Sequence, residues 1–480
     1  TGIGATIMVW EYNPDPSDSA VTLASGIGIT FNQKIKAGSG NITLREDSAS
    51  GTVVENFGIG SSVTISGNSL SMTPTSNLSE LQTYHLSYPS GVITNMAGES
   101  YVGTAYTFKS LAYDYKLWSW GMNTYGQLGH NQSADDPDKS SPVQIPGTTW
   151  KTLGSVDSGT MQAMAVVKSD GTGWVWGTNE AGKLGLNDGV HRSSPMQIPG
   201  EWGYIHIGSS SFGVKADGTL WTWAGNTDGG NGRSDGASFN RSSPIQVGSD
   251  TDWAIGRGKL SASAAIKTDG TLWMWGDNDK GRLGQNSRTQ YSSPIQVPGT
   301  TWNSIDIGYY GWAVATKTDG TAWSWGHNRL GSLGQNQGGE PGPHRSSPTQ
   351  LPGTTWSRID AGYMSNAATK TDGTAWAWGS YNTQGQMGDN SRTGRSSPVQ
   401  VLGTAYSSDA SDVAMGADVG TGIIVKENGT LWTWGHGEKG SLGQNTAIPG
   451  ISSPVQVGSG TDWHQVQSTG GRGMFATEKT

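Results

Sequence analysis

Apolar and polar residues alternate along many short stretches of this chain, and one such stretch recurs at a regular interval. A Trp-x-Trp pair occurs seven times, with a mean spacing of about 52 residues. The pairs are Trp118/Trp120, Trp174/Trp176, Trp221/Trp223, Trp273/Trp275, Trp323/Trp325, Trp376/Trp378 and Trp432/Trp434. Because residues i and i+2 of a strand share a face, we expect an adjacent sheet to cover both indoles of each pair. A period of this size predicts a repeat architecture, and four short strands per repeat predict a propeller.

A turn motif, Lys-x-Asp-Gly-Thr, precedes most of these pairs. It occurs at Lys168–Thr172, Lys215–Thr219, Lys267–Thr271, Lys317–Thr321 and Lys370–Thr374, with an Asn-Gly variant at Lys426–Thr430. Asp-Gly and Asn-Gly supply the positive φ angles of tight hairpins, so each motif is predicted to join two antiparallel strands. The Asp residues could also be read as a ring of carboxylates. The exchange of Asp for Asn favours turn chemistry.

The two ends of the repeat region predict how it closes. The first Trp pair has no Lys-x-Asp-Gly-Thr motif before it, whereas Met474–Thr480 resembles the strand that precedes a Trp strand elsewhere. We therefore expect the C-terminal strand to complete the sheet that begins with Trp118, because closure removes exposed sheet edges. The predicted fold of residues 111–480 is a seven-bladed β-propeller closed by the C-terminal strand.

Residues 1–110 lack these repeats and form a separate predicted domain. Alternating segments such as Gly28–Phe31 and Asn41–Leu44 are separated by turns rich in Gly, Ser, Asn and Pro. This pattern is typical of a β-sandwich of about 100 residues. The whole chain is thus predicted to be all-β, with a sandwich before the propeller.

Composition excludes several classes of protein. The chain of 480 residues has 74 Gly, 22 Trp and no Cys, so it has neither disulfides nor thiolate metal sites. The net charge of −8 gives no overall basic footprint for nucleic acid, and no apolar run is long enough for membrane insertion. The start at Thr1 without a signal-peptide core is expected of a processed product or a portion of something longer.

The repeats resemble those of the regulator-of-chromosome-condensation family. The resemblance covers roughly residues 112–480 and rests on the turn Gly-x-Asn-x-x-Gly-x-Leu-Gly, as in Gly121–Gly129, Gly276–Gly284 and Gly326–Gly334, with flanking Trp-Gly and Ser-Ser-Pro. It implies a seven-bladed propeller. The family's founding member is a chromatin-bound nucleotide-exchange factor for a small GTPase, but this acidic chain has no basic tail, so that function is not expected.

The first domain resembles the bacterial Ig-like domain found in S-layer proteins. The matching segments are Asn13-Pro14, Ile29–Asn32, Gly38–Thr43 and Gly91–Gly98. This resemblance implies an Ig-like β-sandwich and a place at a bacterial or viral surface.

The candidate ligand-binding residues form one basic pattern. The residue before Ser-Ser-Pro is basic in five of the seven repeats, and Tyr291 and Ile451 are the exceptions. The five residues are Lys139, Arg192, Arg241, Arg345 and Arg395. Repeat symmetry puts them on one face, where they would engage acidic glycans or a protein partner, or serve only as a solvated rim. The segment Asp135–Asp138 is a weak calcium candidate, but it lacks the ligand spacing of a calcium loop. No catalytic residue, cofactor site or metal site is expected.

These features favour a non-enzymatic extracellular protein of structural or adhesive function. The first hypothesis is a phage virion component (fibre, decoration or receptor-binding protein) or a bacterial surface-layer adhesin that binds other surface proteins or acidic glycans through propeller loops. Oligomerisation through the Ig-like domain stays open. The alternative is a secreted propeller that binds and inhibits a soluble enzyme, which requires a convergent aromatic patch on one face. An enzyme such as a polysaccharide lyase is the third class, and no residues point to it.

Overall fold

The regular secondary structure of the described residues consists almost entirely of β-strands, as the alternating pattern predicts. The structure is a computed structural model that describes all residues except 1–6, 15–25, 76–77, 79–81, 103–105, 110–113, 133–137, 157–161, 227–228, 233–239, 260–261, 338–341, 380–381, 408–412, 416–419 and 470–471. The chain divides into two units, Thr1–Tyr113 and Asp114–Thr480.

The described part of the first unit forms antiparallel sheets around one hydrophobic core. Its strands are β1 (Val9–Asn13), β2 (Ile27–Phe31), β3 (Ile35–Ala37), β4 (Asn41–Glu46), β5 (Val53–Gly58), β6 (Thr64–Ser66), β7 (Ser69–Met72), β8 (Thr83–Ser87), β9 (Ile93–Asn95) and β10 (Tyr106–Lys109). Two four-stranded sheets have the orders β1-β2-β7-β6 and β10-β8-β4-β5, and β3 pairs with β9. Buried residues of both larger sheets, among them Phe31 and Leu44, belong to one cluster. Alternate residues of β2 and β4 point into it, which is the arrangement of a sandwich.

The second unit repeats one four-stranded pattern. Its strands are β11 (Tyr115–Gly121), β12 (Lys139–Ile145), β13 (Trp150–Leu153), β14 (Ser155–Val156), β15 (Ala163–Lys168), β16 (Thr172–Gly177), β17 (Arg192–Ile207), β18 (Ser210–Lys215), β19 (Leu220–Ala224), β20 (Arg241–Gln246), β21 (Trp253–Lys259), β22 (Ala262–Lys267), β23 (Leu272–Gly276), β24 (Tyr291–Gln296), β25 (Trp302–Ile307), β26 (Trp312–Lys317), β27 (Ala322–Gly326), β28 (Arg345–Gln350), β29 (Trp356–Ala361), β30 (Ser365–Lys370), β31 (Ala375–Gly379), β32 (Arg395–Gln400), β33 (Val413–Met415), β34 (Thr421–Val425), β35 (Leu431–Gly435), β36 (Ile451–Gln456), β37 (Trp463–Ser468) and β38 (Gly473–Lys479). Short 3₁₀ turns occur at Glu180–Gly182 and Glu438–Gly440.

Four sheets of this unit follow chain order: β21–β24, β25–β28, β29–β32 and β33–β36. A fifth sheet, β12-β11-β38-β37, combines the first two strands of the unit with the last two. In it Trp118 pairs with Ala476 in antiparallel register. The prediction that the C-terminal strand completes the sheet of Trp118 is therefore confirmed.

The sixth sheet has eight strands because β17 serves two neighbouring repeats. Its first half pairs with β16 and its second half with β18. The connection from Ile198 to Trp202 is one residue shorter than the corresponding connection from Val297 to Trp302. The shorter connection lets one extended strand replace the usual break.

The predicted hairpins are present, but their turns differ from the prediction in one respect. In the β22–β23 hairpin, the Gly270 N–H donates to the carbonyl of Lys267 at 2.9 Å. Gly270 has a φ of 78°, whereas Asp269 is not among the residues of positive φ. Only the glycine therefore needs the left-handed region. Asp269 instead accepts hydrogen bonds from the Thr271 N–H at 2.9 Å and the Thr271 hydroxyl at 2.7 Å, which is turn chemistry.

The two tryptophans of each pair lie in different environments, which corrects the expectation that both are covered. The second indole is fully buried and donates its N–H to a backbone carbonyl of the preceding repeat. These bonds are Trp120 to Ser441, Trp176 to Gln127, Trp223 to Lys183, Trp275 to Gly230, Trp325 to Arg282, Trp378 to Ser332 and Trp434 to Gln386, at 2.6–3.0 Å. The first indole stays half-buried. Trp323, for example, packs against Trp302 of its own sheet and also lines a groove between repeats.

Candidate binding surfaces

The five predicted basic residues lie at equivalent places in their sheets. Each is the first residue of its strand, and each pairs with the residue that follows the Trp pair. The strands are β12 with Lys139, β17 with Arg192, β20 with Arg241, β28 with Arg345 and β32 with Arg395. All five therefore occupy the same end of their respective sheets, as repeat symmetry predicts.

Two of the five side chains form ion pairs within the protein, and a third forms a hydrogen bond. Arg192 forms an ion pair of 2.6 Å with Asp188, and Arg395 one of 2.8 Å with Asp389. Arg345 donates to the side-chain oxygen of Gln337 at 3.0 Å. The pKa of the Asp188 carboxyl is lowered, first by the hydrogen bond that it accepts from the Val190 N–H and second by the nearby Arg192 guanidinium. The charges of Arg192 and Arg395 are therefore compensated by aspartates, and whether the five residues bind a ligand stays a prediction.

A cluster of tyrosines lies at the same end of two neighbouring sheets. Tyr309 and Tyr310 are in the turn between β25 and β26, and Tyr363 is in the turn between β29 and β30. Ring centroids are 4.9 Å apart for Tyr309 and Tyr363 and 5.1 Å apart for Tyr310 and Tyr363. The hydroxyls of Tyr310 and Tyr363 lie 2.6 Å apart, and the guanidinium of Arg329 lies 4.0 Å from the Tyr310 ring centroid. We call Tyr309, Tyr310, Tyr363 and Arg329 the tyrosine cluster.

The cluster is ordered by its neighbours. The ring of His327 contacts the Tyr310 carbonyl at 3.0 Å and lies 4.7 Å from that of His344. The pKa of the Tyr363 hydroxyl is raised to about 12, mainly by its hydrogen bond with Tyr310 and to a smaller extent by burial. This phenol is therefore protonated at neutral pH.

Reasoning from single motifs missed this cluster. The available signal was positional: Gly308-Tyr309 and Gly362-Tyr363 occur at the same point of consecutive repeats. A repeat-by-repeat alignment would have predicted that these tyrosines are neighbours.

A set of largely buried polar side chains connects the first strands of different repeats. Asp306 accepts the backbone N–H of Ala361 at 2.8 Å, and Asp360 accepts that of Met415 at 2.7 Å. The buried Lys259 donates to the Ala361 carbonyl at 2.8 Å and lies 3.9 Å from Asp306. These side chains link the repeats to one another. Their burial is explained by these internal hydrogen bonds, so no bound substrate is needed to explain it.

The Asp360 carboxyl should make stability depend on pH. Burial, with the nearby charge of Asp306, raises the pKa of Asp360 to about 7, above its value in an unfolded chain of about 3.9. The folded state binds the extra proton between these values, so this group's contribution to the free energy of unfolding falls as pH rises from about 4 to about 7. Urea unfolding across this range should show a weaker decline for Asp360→Asn than for the unmodified chain.

Asp319→Asn is the matched control for that experiment. Asp319 caps an exposed turn, and its hydrogen bonds with Thr321 lower its pKa, so it does not titrate in that window. Asn428 occupies the same turn position in another repeat, which shows that the amide is tolerated. Equal pH slopes for Asp360→Asn and the unmodified chain would contradict the assignment.

The calcium candidate is only partly within the described residues. Asp135–Pro137 fall outside them, whereas Asp138 accepts the Asn123 N–H at 3.1 Å and lies 3.3 Å from the Lys439 ammonium. Nowhere in the described parts of the chain do three His, Asp or Glu side chains come together as a metal site would require. Nor does any helix in those parts have the length and apolarity to cross a membrane.

Comparisons with protein families agree with both predicted resemblances. Residues 6–111 match the bacterial Ig-like domain. Residues 115–166 and 269–310 match the regulator of chromosome condensation (RCC1) repeat. The second unit is therefore an RCC1-like propeller in fold. The match of the first unit is to bacterial Ig-like domains in general, and it does not single out S-layer proteins.

Individual relatives are distant. The chain is 26% identical to the ultraviolet-B receptor UVR8 of Arabidopsis thaliana over 369 residues, which cover 72% of this chain and 79% of the receptor. It is 35% identical to the human probable E3 ubiquitin-protein ligase HERC3 over 89 residues, which cover 18% of this chain and 8% of that protein.

Two solved structures are similar over most of their own length. Prp20p from Saccharomyces cerevisiae has a TM-score of 0.65 at 17% identity, covering 76% of this chain and 92% of that one. Human WBSCR16 has a TM-score of 0.64 at 16% identity, covering 76% and 99%. Likeness at this level of identity establishes the fold alone.

Proposed function

We propose that this chain is a non-enzymatic binding protein in which residues 1–110 form an Ig-like domain and residues 111–480 a closed seven-bladed propeller. Support for closure comes from the Trp120 indole, whose bond to Ser441 joins the first repeat to the last. Support for a protein partner comes from the RCC1-like fold, since Prp20p is described with its binding to Gsp1p and histones.

The tyrosine cluster is the observation that carries this proposal. Tyr and Arg are enriched among the residues that contribute most to protein–protein affinity, because they bury large areas at little entropic cost and retain a polar group. Tyr309, Tyr310 and Tyr363 are half-buried, so their rings are fixed by packing and still reach solvent. A pre-ordered aromatic surface of this kind loses little freedom on binding.

We further propose that the protein acts outside the cytoplasm, as a phage virion component or a bacterial surface-layer adhesin. The bacterial Ig-like match supports this location. Its partners would then be other virion or cell-surface proteins. The second candidate, a secreted inhibitor of a soluble enzyme, is favoured by the tyrosine cluster, because a convergent aromatic patch is what that function requires. Immunogold labelling of virions, cell surfaces and cytosol tests the location, and exclusively cytosolic label would refute it.

Mutation of the tyrosine cluster should weaken partner binding. The double variant Tyr310→Ala/Tyr363→Ala is expected to bind roughly tenfold or more weakly, because such anchors contribute disproportionately to affinity. Binding of the labelled protein to purified virions and to intact cells is measured by cosedimentation. Its binding to a partner in the soluble fraction of the source is measured by pull-down. Retention on virions or cells supports the adhesive function, and capture from the soluble fraction supports the inhibitor.

Tyr125→Ala is the matched control for this double variant. Tyr125 is an exposed tyrosine of another repeat and lies outside the tyrosine cluster. If the control and the double variant lose binding equally, or neither does, the tyrosine cluster is not the binding site.

A further inference from the structure

A lysine flanked by two tryptophans recurs in the second unit. Lys317, the last residue of β26, has its ammonium 4.5 Å from the ring centroid of Trp302 and 5.0 Å from that of Trp323. Lys215 lies 5.6 Å from Trp202 and 3.7 Å from Trp221. Each ammonium is attracted electrostatically by the aromatic faces.

Two of these lysines line open grooves between neighbouring repeats. The groove at Lys215 encloses about 440 Å³, and the groove at Lys317 about 330 Å³. Both contain two tryptophans, the lysine, two prolines and residues of Asn, Gln and Ser. The amide residues are Asn187 and Gln197 in the first groove and Gln285 and Asn286 in the second. The structure records no carboxylate within 4.0 Å of either ammonium among the described residues.

The repeat that lies between those of Lys215 and Lys317 indicates which kind of group pairs with the lysine. Lys267 lies 4.8 Å from Trp253 and 5.4 Å from Trp273 and thus has the same aromatic neighbours. Its ammonium also contacts the carboxylates of Asp250 at 2.6 Å and Asp252 at 3.0 Å. These aspartates belong to the connection Gly248–Trp253, which replaces the Pro-Gly-Thr-Thr connection found before Trp302. In this repeat the protein supplies the carboxylates itself.

We propose that the grooves at Lys215 and Lys317 bind carboxylated sugar units of an acidic polysaccharide. The ammonium pairs with the sugar carboxylate, as Lys267 pairs with Asp250. The half-buried Trp221 and Trp323 add apolar surface to the groove, against which the sugar ring packs. The neighbouring amide and serine residues add polar groups to each groove. A polymer that repeats its acidic unit suits a protein that repeats its groove, because binding at two sites raises the overall affinity.

This site is separate from the tyrosine cluster. Lys317 ends β26, whereas Tyr309 and Tyr310 precede its first residue, so the two surfaces lie at opposite ends of one strand. Loss of sugar binding and loss of protein binding can therefore be measured independently, and Tyr310→Ala/Tyr363→Ala is expected to retain sugar binding.

The test uses the full chain with oligosaccharides of galacturonate, glucuronate and sialate, titrated by calorimetry. At least one should bind, and its methyl ester should bind roughly tenfold or more weakly because the carboxylate charge is lost. Lys215→Gln/Lys317→Gln should lose a similar factor, whereas Lys215→Arg/Lys317→Arg should retain binding. Lys267→Gln is the matched control and should bind like the unmodified chain, since the Lys267 ammonium is already paired with Asp250 and Asp252.

Three results would overturn the proposal. One is failure of all three oligosaccharides to bind at millimolar concentration. Another is equal affinity for the methyl ester or for a Lys215→Gln/Lys317→Gln variant whose unfolding midpoint is unchanged. The third is equally tight binding of oligoglutamate, which would assign the grooves to an acidic peptide. Conversely, Asp250→Asn/Asp252→Asn should increase the number of bound sugar equivalents, because it frees the ammonium of Lys267.

Discussion

Deletion of residues 471–480 is expected to abolish cooperative unfolding of the second unit. β38 lies between β11 and β37, so its removal leaves two unpaired strand edges within one sheet. It also removes the fully buried side chains of Met474, Phe475 and Ala476. Loss of each large buried side chain costs several kcal/mol, which together is comparable to the whole stability of a typical domain. Thermal unfolding followed by tryptophan fluorescence and circular dichroism should show a broad, early transition.

Removal of Thr480 alone is the control for this truncation. Its side chain is exposed, and it contributes hydrogen bonds to Asp114 but no buried area. A ten-residue peptide of sequence 471–480, added in excess, should restore part of the transition. A cooperative melt that survives the full truncation unchanged would mean that closure does not depend on β38.

The second large effect is expected at Trp325. This fully buried indole packs 5.9 Å from the ring of Trp302 and donates to the Arg282 carbonyl of the preceding repeat at 2.8 Å. Trp325→Ala should lower the free energy of unfolding by about 3–5 kcal/mol, the usual cost of emptying a buried aromatic site. Trp325→Phe keeps part of the volume but leaves the carbonyl unpaired, which adds a penalty of about 1–3 kcal/mol. Guanidinium unfolding midpoints measure both.

Trp323→Phe is the matched control for Trp325→Phe. Trp323 is half-buried, and its N–H donates to the Thr321 hydroxyl of its own sheet at 2.9 Å. Its substitution should cost clearly less, because water can reach the hydroxyl that loses its donor. Equal costs for the two Phe variants would show that the inter-repeat hydrogen bond contributes nothing specific to stability.

Local sequence patterns were sufficient for the strands, the hairpins and the pairing of Met474–Lys479 with the strand of Trp118. Strand alternation and Asp-Gly turns depend only on residues that are close in sequence. The pairing of the C-terminal strand could be predicted because the first repeat lacks the hairpin that precedes the Trp pair in the others. The same patterns did not distinguish Trp323 from Trp325. Both belong to the same face of β27, and only the placement of the preceding repeat buries one and leaves the other beside a groove.

The candidate binding surfaces depended still more on tertiary structure. The basic residue before Ser-Ser-Pro was visible in the sequence, but its partner was not: Arg395 meets Asp389 because a loop returns on itself. Tyr310 and Tyr363 are 53 residues apart and share a hydrogen bond because consecutive sheets bring equivalent turns together. Lys267 and Lys317 look identical in sequence, yet one is neutralised by aspartates from another loop and the other faces a groove. Sequence period therefore determined the repeating framework, because its interactions are local or strictly periodic. The exposed chemistry was decided by tertiary structure, because it arises where the repeats differ and where neighbouring sheets meet.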